Sequence, residues 1–253
     1  MLNHSSGGPI GGPTLLLVHP MGADLAFWEA CRVPLESFCR CVAVDLRGAG
    51  GSPALERPVP IEGHADDLAA FCRGHLLDGV VVVGCAVGAM VAAVLAGTSA
   101  GLCRGVVLSN PGFRTLPEAR GTLARRAADV RAGGMAAVMP AVVDAAFAGC
   151  PDDRRRLDYQ ERFARQDPLQ YALQIEGMLE ADTSPYLGAI SAPTLIVAGG
   201  RDRLLPPDHA RRVRAQIADA ELLLIPEGAH FIPYQRPAEF AGLVSAFLRR
   251  ANL

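Results

Sequence analysis

Three positions far apart in the chain have the order and setting of a nucleophile, an acid and a base, except that the first carries no hydroxyl. Gly84-Cys85-Ala86-Val87-Gly88 follows the apolar run Val80 to Val83 and precedes the apolar stretch Ala89 to Leu95. A strand that turns sharply into a helix through such a glycine-flanked frame holds its central residue in a strained conformation, and in acyl-transfer enzymes that residue is serine. Here it is Ala86. Asp202 follows the strand pattern Pro193 to Ala198, and His230 follows the strand pattern Glu221 to Ile225. Both therefore fall in loops at the carboxyl ends of strands, where open α/β sheets bind ligands. An imidazole that takes a proton from a hydroxyl or a water, held in one tautomer by a carboxylate, is the acid–base machinery of acyl transfer.

The strand pattern Thr14 to Val18 runs into His19-Pro20-Met21-Gly22. One backbone N–H from that loop and one from the residue after the nucleophile position would bind an oxyanion, which nominates Met21 and Val87. Cys85 adjoins the alanine, but successive residues at a strand end face opposite ways, so it is expected to be a buried structural thiol. His19 is expected to be a hydrogen-bonded loop histidine rather than a second base. Candidate substrate contacts are His19, Trp28, Arg125, Arg131, Phe147 and Phe231; an arginine among Arg125, Arg126, Arg131 and Arg162 could grip a substrate carboxylate through its guanidinium fork. Asp45 and Arg47 have the setting of a structural turn.

Positioning these groups requires alternating strands and helices. Strands are expected at Thr14–Val18, Cys41–Asp45, Val80–Val83 and Gly105–Leu108, with helices at Ala26–Ser37, Ile61–His75 and after residue 88, which predicts a parallel sheet. Over about 113–185 the alternation gives way to helical patterns at Glu118–Arg131, Met135–Phe147, Asp153–Arg165 and Leu169–Glu180. That stretch is expected to be a helical cap on a single domain spanning 1–253. Met135, Met139, Phe147 and Met178 in it are expected mainly to pack the lid.

Composition narrows the function classes. The chain has 253 residues, is 50% hydrophobic and carries a formal charge of −2, which gives no electrostatic case for nucleic acid or an anionic membrane. All 24 basic residues are arginine, so Schiff-base chemistry through lysine is excluded. Seven cysteines form neither a C-x-x-C pair nor a zinc pattern, so no metal site and no cofactor are expected, and reduced thiols suit the cytoplasm. Met1 to Pro13 lacks the features of a secretory signal, and the apolar runs fall short of a membrane span.

The whole pattern resembles the α/β-hydrolase superfamily and, within it, the 3-oxoadipate enol-lactonase-like group. The resemblance rests on His19 to Leu25 with Trp28, on Asp45 to Ser52, on the Ala86 turn, on Arg131 to Met135, on Ala192-Pro193-Thr194, and on Asp202 and His230. It implies an α/β fold of mostly parallel sheet flanked by helices, with the cap inserted between the half bearing the turn and the half bearing Asp202 and His230. It also implies a small-molecule ester or enol-lactone substrate that bears a carboxylate. Where such lactonases often carry an aromatic residue before Phe147, this chain has Ala146. Such proteins usually begin with a β-hairpin that Met1 to Pro13 is not expected to supply, leaving a sheet edge for something else, such as a second copy, to cover. Three readings of Ala86 stay open: a serine replaced by alanine in a hydrolase, a natural alanine with a His–Asp dyad doing lyase, oxygenase or other non-hydrolytic chemistry, and an inactive paralogue that binds. The codon of the natural gene at position 86 separates the first from the others.

Overall fold

Runs of Val, Leu and Ile that are buried on both faces build the middle of the sheet, as expected of parallel strands covered by helices on each side. The computed structural model describes all residues 1–253. Its strands are β1 (His4–Gly7), β2 (Thr14–Val18), β3 (Arg40–Val44), β4 (Val80–Cys85), β5 (Cys103–Ser109), β6 (Thr194–Gly199) and β7 (Ala220–Ile225). They form one sheet in the order β1-β3-β2-β4-β5-β6-β7, parallel except for β1. The apolar core divides into clusters of 39 and 37 buried residues, and alternate residues of β2, β4 and β5 feed one or the other, so the sheet is covered about equally on both faces.

The edge expected to be bare is occupied. His4–Gly7 pairs antiparallel with β3, from His4 opposite Val44 to Gly7 opposite Cys41. A single strand stands where proteins of the resembled group carry a hairpin. Its alternation of exposed and half-buried residues leaves no hydrophobic period to detect, because it lies at the rim. Polar bonds at Asn3 fix it instead: its side-chain Nδ2 donates to Asp45 Oδ2 at 2.7 Å, and its carbonyl accepts the Asp45 N–H at 2.9 Å.

Helices α1 (Glu29–Leu35), α2 (Ile61–Gly74) and α3 (Val87–Thr98) link the first strands. Between β5 and β6 lie α4 (Pro117–Gly133), α5 (Met139–Ala146), α6 (Arg154–Ala164), α7 (Pro168–Gly177) and the short α8 (Ser184–Leu187). Thr115 N–H donates to the Ala181 carbonyl and Thr183 N–H to the Phe113 carbonyl, so the two ends of this insertion are tied together where it leaves the sheet. The helix expected over Met135–Phe147 is interrupted: a 3-10 turn at Met135–Ala137 precedes α5, which restarts just before Pro140, a residue tolerated only in a first turn. After β6 come α9 (Pro207–Gln216), α10 (Ile232–Gln235) and α11 (Pro237–Arg250). No helix is long and apolar enough to cross a membrane.

Two histidines are buried beside the β2 loop. His19 Nε2 accepts the Leu46 N–H at 2.9 Å while Nδ1 lies 2.8 Å from the Pro20 carbonyl, which fixes the neutral ring with its proton on Nδ1. Burial holds the His19 pKa below the ordinary value against weaker raising effects from Pro20, Asp45 and Asp24. His64 on α2 is lowered to about 4, chiefly by burial, with Asp67 opposing and Arg47 and His19 assisting; its Nδ1 has no partner. The unfolded chain takes up these protons near pH 6.5 and the folded chain does not, so stability is complete above that pH and falls as the pH drops toward 4. For His64 alone the loss between pH 7 and pH 5 is roughly 2 kcal/mol. Denaturant unfolding at the two pH values measures it, and His64→Gln should flatten that dependence.

The tightest constraint lies at the start of α3. A Cβ on Gly84 would stand 2.2 Å from the Gly88 carbonyl oxygen, and one on Gly88 would stand 2.3 Å from that of Val18. Backbone cannot yield as a flexible side chain can, so Gly88→Ala should cost about 3 kcal/mol or more, read as a lowered denaturation midpoint with the m-value unchanged.

Candidate active site

The β4–α3 turn has the strained geometry that its glycines imply. Ala86 stands at φ 51°, ψ −114°, one of four non-glycine residues with positive φ. Its N–H donates to the Ser109 carbonyl at 2.9 Å, and the N–H groups of Ala89 and Met90 turn back to its own carbonyl, so the tip is held from both sides. Ala86 lines a cavity of about 420 Å³ together with Met21, Val87, His230 and Phe231. The N–H groups of Met21 and Val87 donate to no protein acceptor.

Asp202, in the loop between β6 and α9, is 4% exposed and accepts four hydrogen bonds. Oδ1 takes the N–H groups of Leu204 and Leu205 at 2.8 and 2.9 Å; Oδ2 takes Asn110 Nδ2 at 2.7 Å and His230 Nδ1 at 2.8 Å. Burial raises the carboxyl pKa, but His230, its hydrogen bond, the Leu205 N–H and Asn110 together outweigh it, and the pKa lies below the ordinary value. An ionised carboxylate only accepts, so Nδ1 of His230 carries the proton and Nε2 is left without a protein partner. The His230 backbone is fixed too, its N–H donating to the carbonyl of Ala146 at 3.2 Å. Asn110 also reaches the Ala229 carbonyl at 3.0 Å, joining the end of β5 to both loops. Sequence reasoning did not find it; the only local signal was Ser109-Asn110-Pro111 closing an apolar strand.

Cys85 points away from the cavity, its Sγ 3.9 Å from the His230 carbonyl, and burial pushes its thiol well above the ordinary value. All seven cysteines are free and no group of His, Cys, Asp and Glu is arranged to hold a metal. Asp45 binds the N–H groups of Leu25 and Gly51, and Arg47 pairs with Asp67 at 2.6 Å, which are scaffold contacts.

The substrate-contact candidates separate. Phe231 lines the cavity, as does Met178. Phe147 does not; it packs behind, 5.3 Å from the Tyr159 ring and 6.2 Å from Phe231. Trp28 is fully buried against Phe27 and Phe240, away from the cavity, because so large an apolar surface is better placed in the core. His19 lies beneath the β2 loop on its two backbone bonds and does not reach the cavity. Arg131 is bound to Glu176 at 2.9 Å across the α4–α7 seam, and Arg125 is exposed. One residue further along the helix, Arg126 is rotated by about 100° and faces inward, lining the cavity beside the Tyr171 hydroxyl. Arg114, Arg203 and His209 also line the cavity, and no aspartate or glutamate does. Arg203 was missed because a loop residue carries no periodicity that reveals its direction, and His209 because the first turn of a short polar helix gives no apolar face to set its phase.

The α/β hydrolase fold model matches residues 13–237. Over 258 residues the chain is 28% identical to a provisionally named carbamate hydrolase, RutD, of Variovorax paradoxus, covering 99% of this chain and 97% of that protein. Among solved structures it resembles a thermophilic esterase of Thermogutta terrifontis, with a TM-score of 0.91, 26% identity and coverage of 100% of this chain and 94% of the other. It resembles the enol-lactonase of Burkholderia xenovorans to the same TM-score and identity, covering 98% of this chain and 96% of the other. With the fold, the strained β4–α3 turn and the family match in agreement, the chain belongs to the α/β-hydrolase fold family.

Proposed function

We propose that the chain carries the site of a serine-type hydrolase for a small ester or enol-lactone bearing a carboxylate, with alanine in the seat of the nucleophile. The observation that carries this reading is the strained tip at Ala86, which shares one cavity with His230 while His230 is paired with Asp202 at 2.8 Å. With serine at position 86, Nε2 of His230 takes the hydroxyl proton as Oγ bonds to the substrate carbonyl carbon. The carbonyl electron pair moves to oxygen and is held by the Met21 and Val87 N–H groups. Collapse expels the alkoxide or enolate, which takes the proton from the imidazolium, and water repeats the sequence to free the acid. Without the hydroxyl the acyl-enzyme cannot form, and Cys85 does not substitute because it points elsewhere as a neutral thiol.

Charge supports a carboxylate on the substrate. Three arginines line the cavity with no acidic residue among them, and Arg126 is in no salt bridge while Arg131 and Arg162 are paired with Glu176 and Glu29. A guanidinium unpaired inside an apolar cavity favours a planar anion as its partner.

A second reading has its own support: Asp202 keeps all four of its hydrogen bonds around a tip that has no hydroxyl. The dyad then acts as a general base on a water or on an acidic substrate proton.

Ala86→Ser should raise turnover of a small activated ester by on the order of 10³-fold, and Asp202→Asn in that background should remove most of the gain. A serine form with neither burst nor turnover over a broad ester and lactone panel sinks the hydrolase reading. Turnover by the Ala86 chain that His230→Asn abolishes establishes the general-base reading instead. In the serine form, Arg126→Gln should raise KM for a hydrogen succinate ester by about ten-fold and leave KM for the matching butanoate ester nearly unchanged, as expected for loss of a charged hydrogen bond worth about 1.5 kcal/mol.

A further inference from the structure

His209 lies seven residues beyond Asp202, in the first turn of α9, and the hydrolytic scheme leaves it without a role. Its ring is fixed from outside the cavity. Nδ1 accepts the backbone N–H of Phe113 at 3.1 Å, and a nitrogen that accepts carries no proton of its own. Burial and Arg212 hold the His209 pKa below the ordinary value against Asp202 and Asp208, so the ring is neutral near pH 7. The single ring proton is then on Nε2, which has no protein acceptor, and the residue lines the cavity. Rotating the ring to offer an acceptor instead would break the Phe113 bond and leave that N–H unpaired. His209 is thus a donor that cannot invert.

The polar residues of the cavity come from different parts of the chain. Arg126 and Tyr171 stand on α4 and α7 of the insertion, whereas His209 and Arg203 belong to the segment after β6, with His209 bonded to the backbone at Phe113, where the chain enters the insertion. Apolar residues such as Met90, Leu123, Leu204 and Leu205 complete the wall. A substrate held at Arg126 by its carboxylate shares the cavity with this fixed neutral donor, and an alkyl group set against it would leave that donor without a partner.

We propose that His209 is a specificity-determining residue that donates from Nε2 to an oxygen atom of the substrate remote from its carboxylate, so that the cavity selects oxygenated carboxylates over their purely alkyl counterparts. The inference rests on the reading of the cavity as a carboxylate-binding substrate site, and it does not depend on turnover.

Binding to the Ala86 chain tests it. The probes are the oxo acids from 4-oxopentanoate to 7-oxooctanoate, each with the keto group next to the terminal methyl, and each beside the branched acid in which a methyl replaces the oxo oxygen; NMR titration reports both affinities. One chain length should show a preference of about ten-fold for the oxo acid, the scale of one net hydrogen bond. His209→Asn can keep an acceptor for the Phe113 N–H while withdrawing the donor from the cavity, and His209→Phe removes both. Each should reduce the preference to about one while leaving the branched acid bound as before. A preference kept in His209→Asn and lost only in His209→Phe would assign the residue a structural role and overturn the proposal. So would equal binding of the two acids at every length in the unmodified chain. Binding of neither acid, with Arg126→Gln also without effect, overturns the carboxylate site itself and this inference with it.

Discussion

A methyl group at residue 88 would meet the Val18 carbonyl at 2.3 Å, and one at residue 84 would meet the Gly88 carbonyl at 2.2 Å, so β2, β4 and the first turn of α3 can be brought this close only through glycine. The close approach fixes the axis of α3 against the sheet and forces residue 86 into a conformation that costs of order 1–3 kcal/mol for a side chain with a Cβ. Ala86 accepts that strain without a hydroxyl to present. The turn also sets where everything else must converge: the Ala86 N–H binds the end of β5, and the adjoining Asn110 reaches both the carboxylate of Asp202 and the loop that carries His230. The ends of β4, β5, β6 and β7 are thus cross-linked through polar groups beside the cavity.

Asp202 shows why such a cluster is stable although buried. Removing a carboxylate from water is expensive unless its lone pairs are filled, and here two backbone N–H groups, an amide and an imidazole fill them. The charge needed to orient His230 is maintained by groups that do not themselves ionise, apart from the histidine. The His230 ring is therefore held independently of what occupies position 86.

Legibility in the sequence followed locality. The Ala86 turn was visible because two glycines four residues apart, between an apolar strand and an apolar helix, have few other uses. Asp202 and His230 were visible because each follows a clear strand. β1 was invisible because a four-residue rim strand has no buried face to impose a period, and its anchor, Asn3 to Asp45, spans 42 residues. Trp28 and Arg131 were misplaced for the same reason: residue type suggests what a side chain can bind but not which surface is nearest, and here those surfaces were Phe27 with Phe240, and Glu176. Choosing Arg126 over Arg125 required helix phase relative to α7, which appears only once the insertion is folded.

The cavity has consequences beyond the empty seat. In sites where a nucleophile, base and oxyanion donors act as a unit, their contributions are far from additive, and substantial rate acceleration survives loss of the nucleophile through binding and oxyanion stabilisation alone. The Ala86 chain keeps two unpaired N–H groups, an imidazole of fixed tautomer and an unpaired guanidinium around one cavity of about 420 Å³. On the proposed hydrolase reading, a substrate carbonyl bound at the Met21 and Val87 N–H groups would meet no nucleophile at position 86, with Nε2 of His230 in the same cavity. On that reading the dyad retains reactions that begin with removal of a proton, either from a water or from the substrate, beside whatever acceleration binding and the oxyanion donors supply.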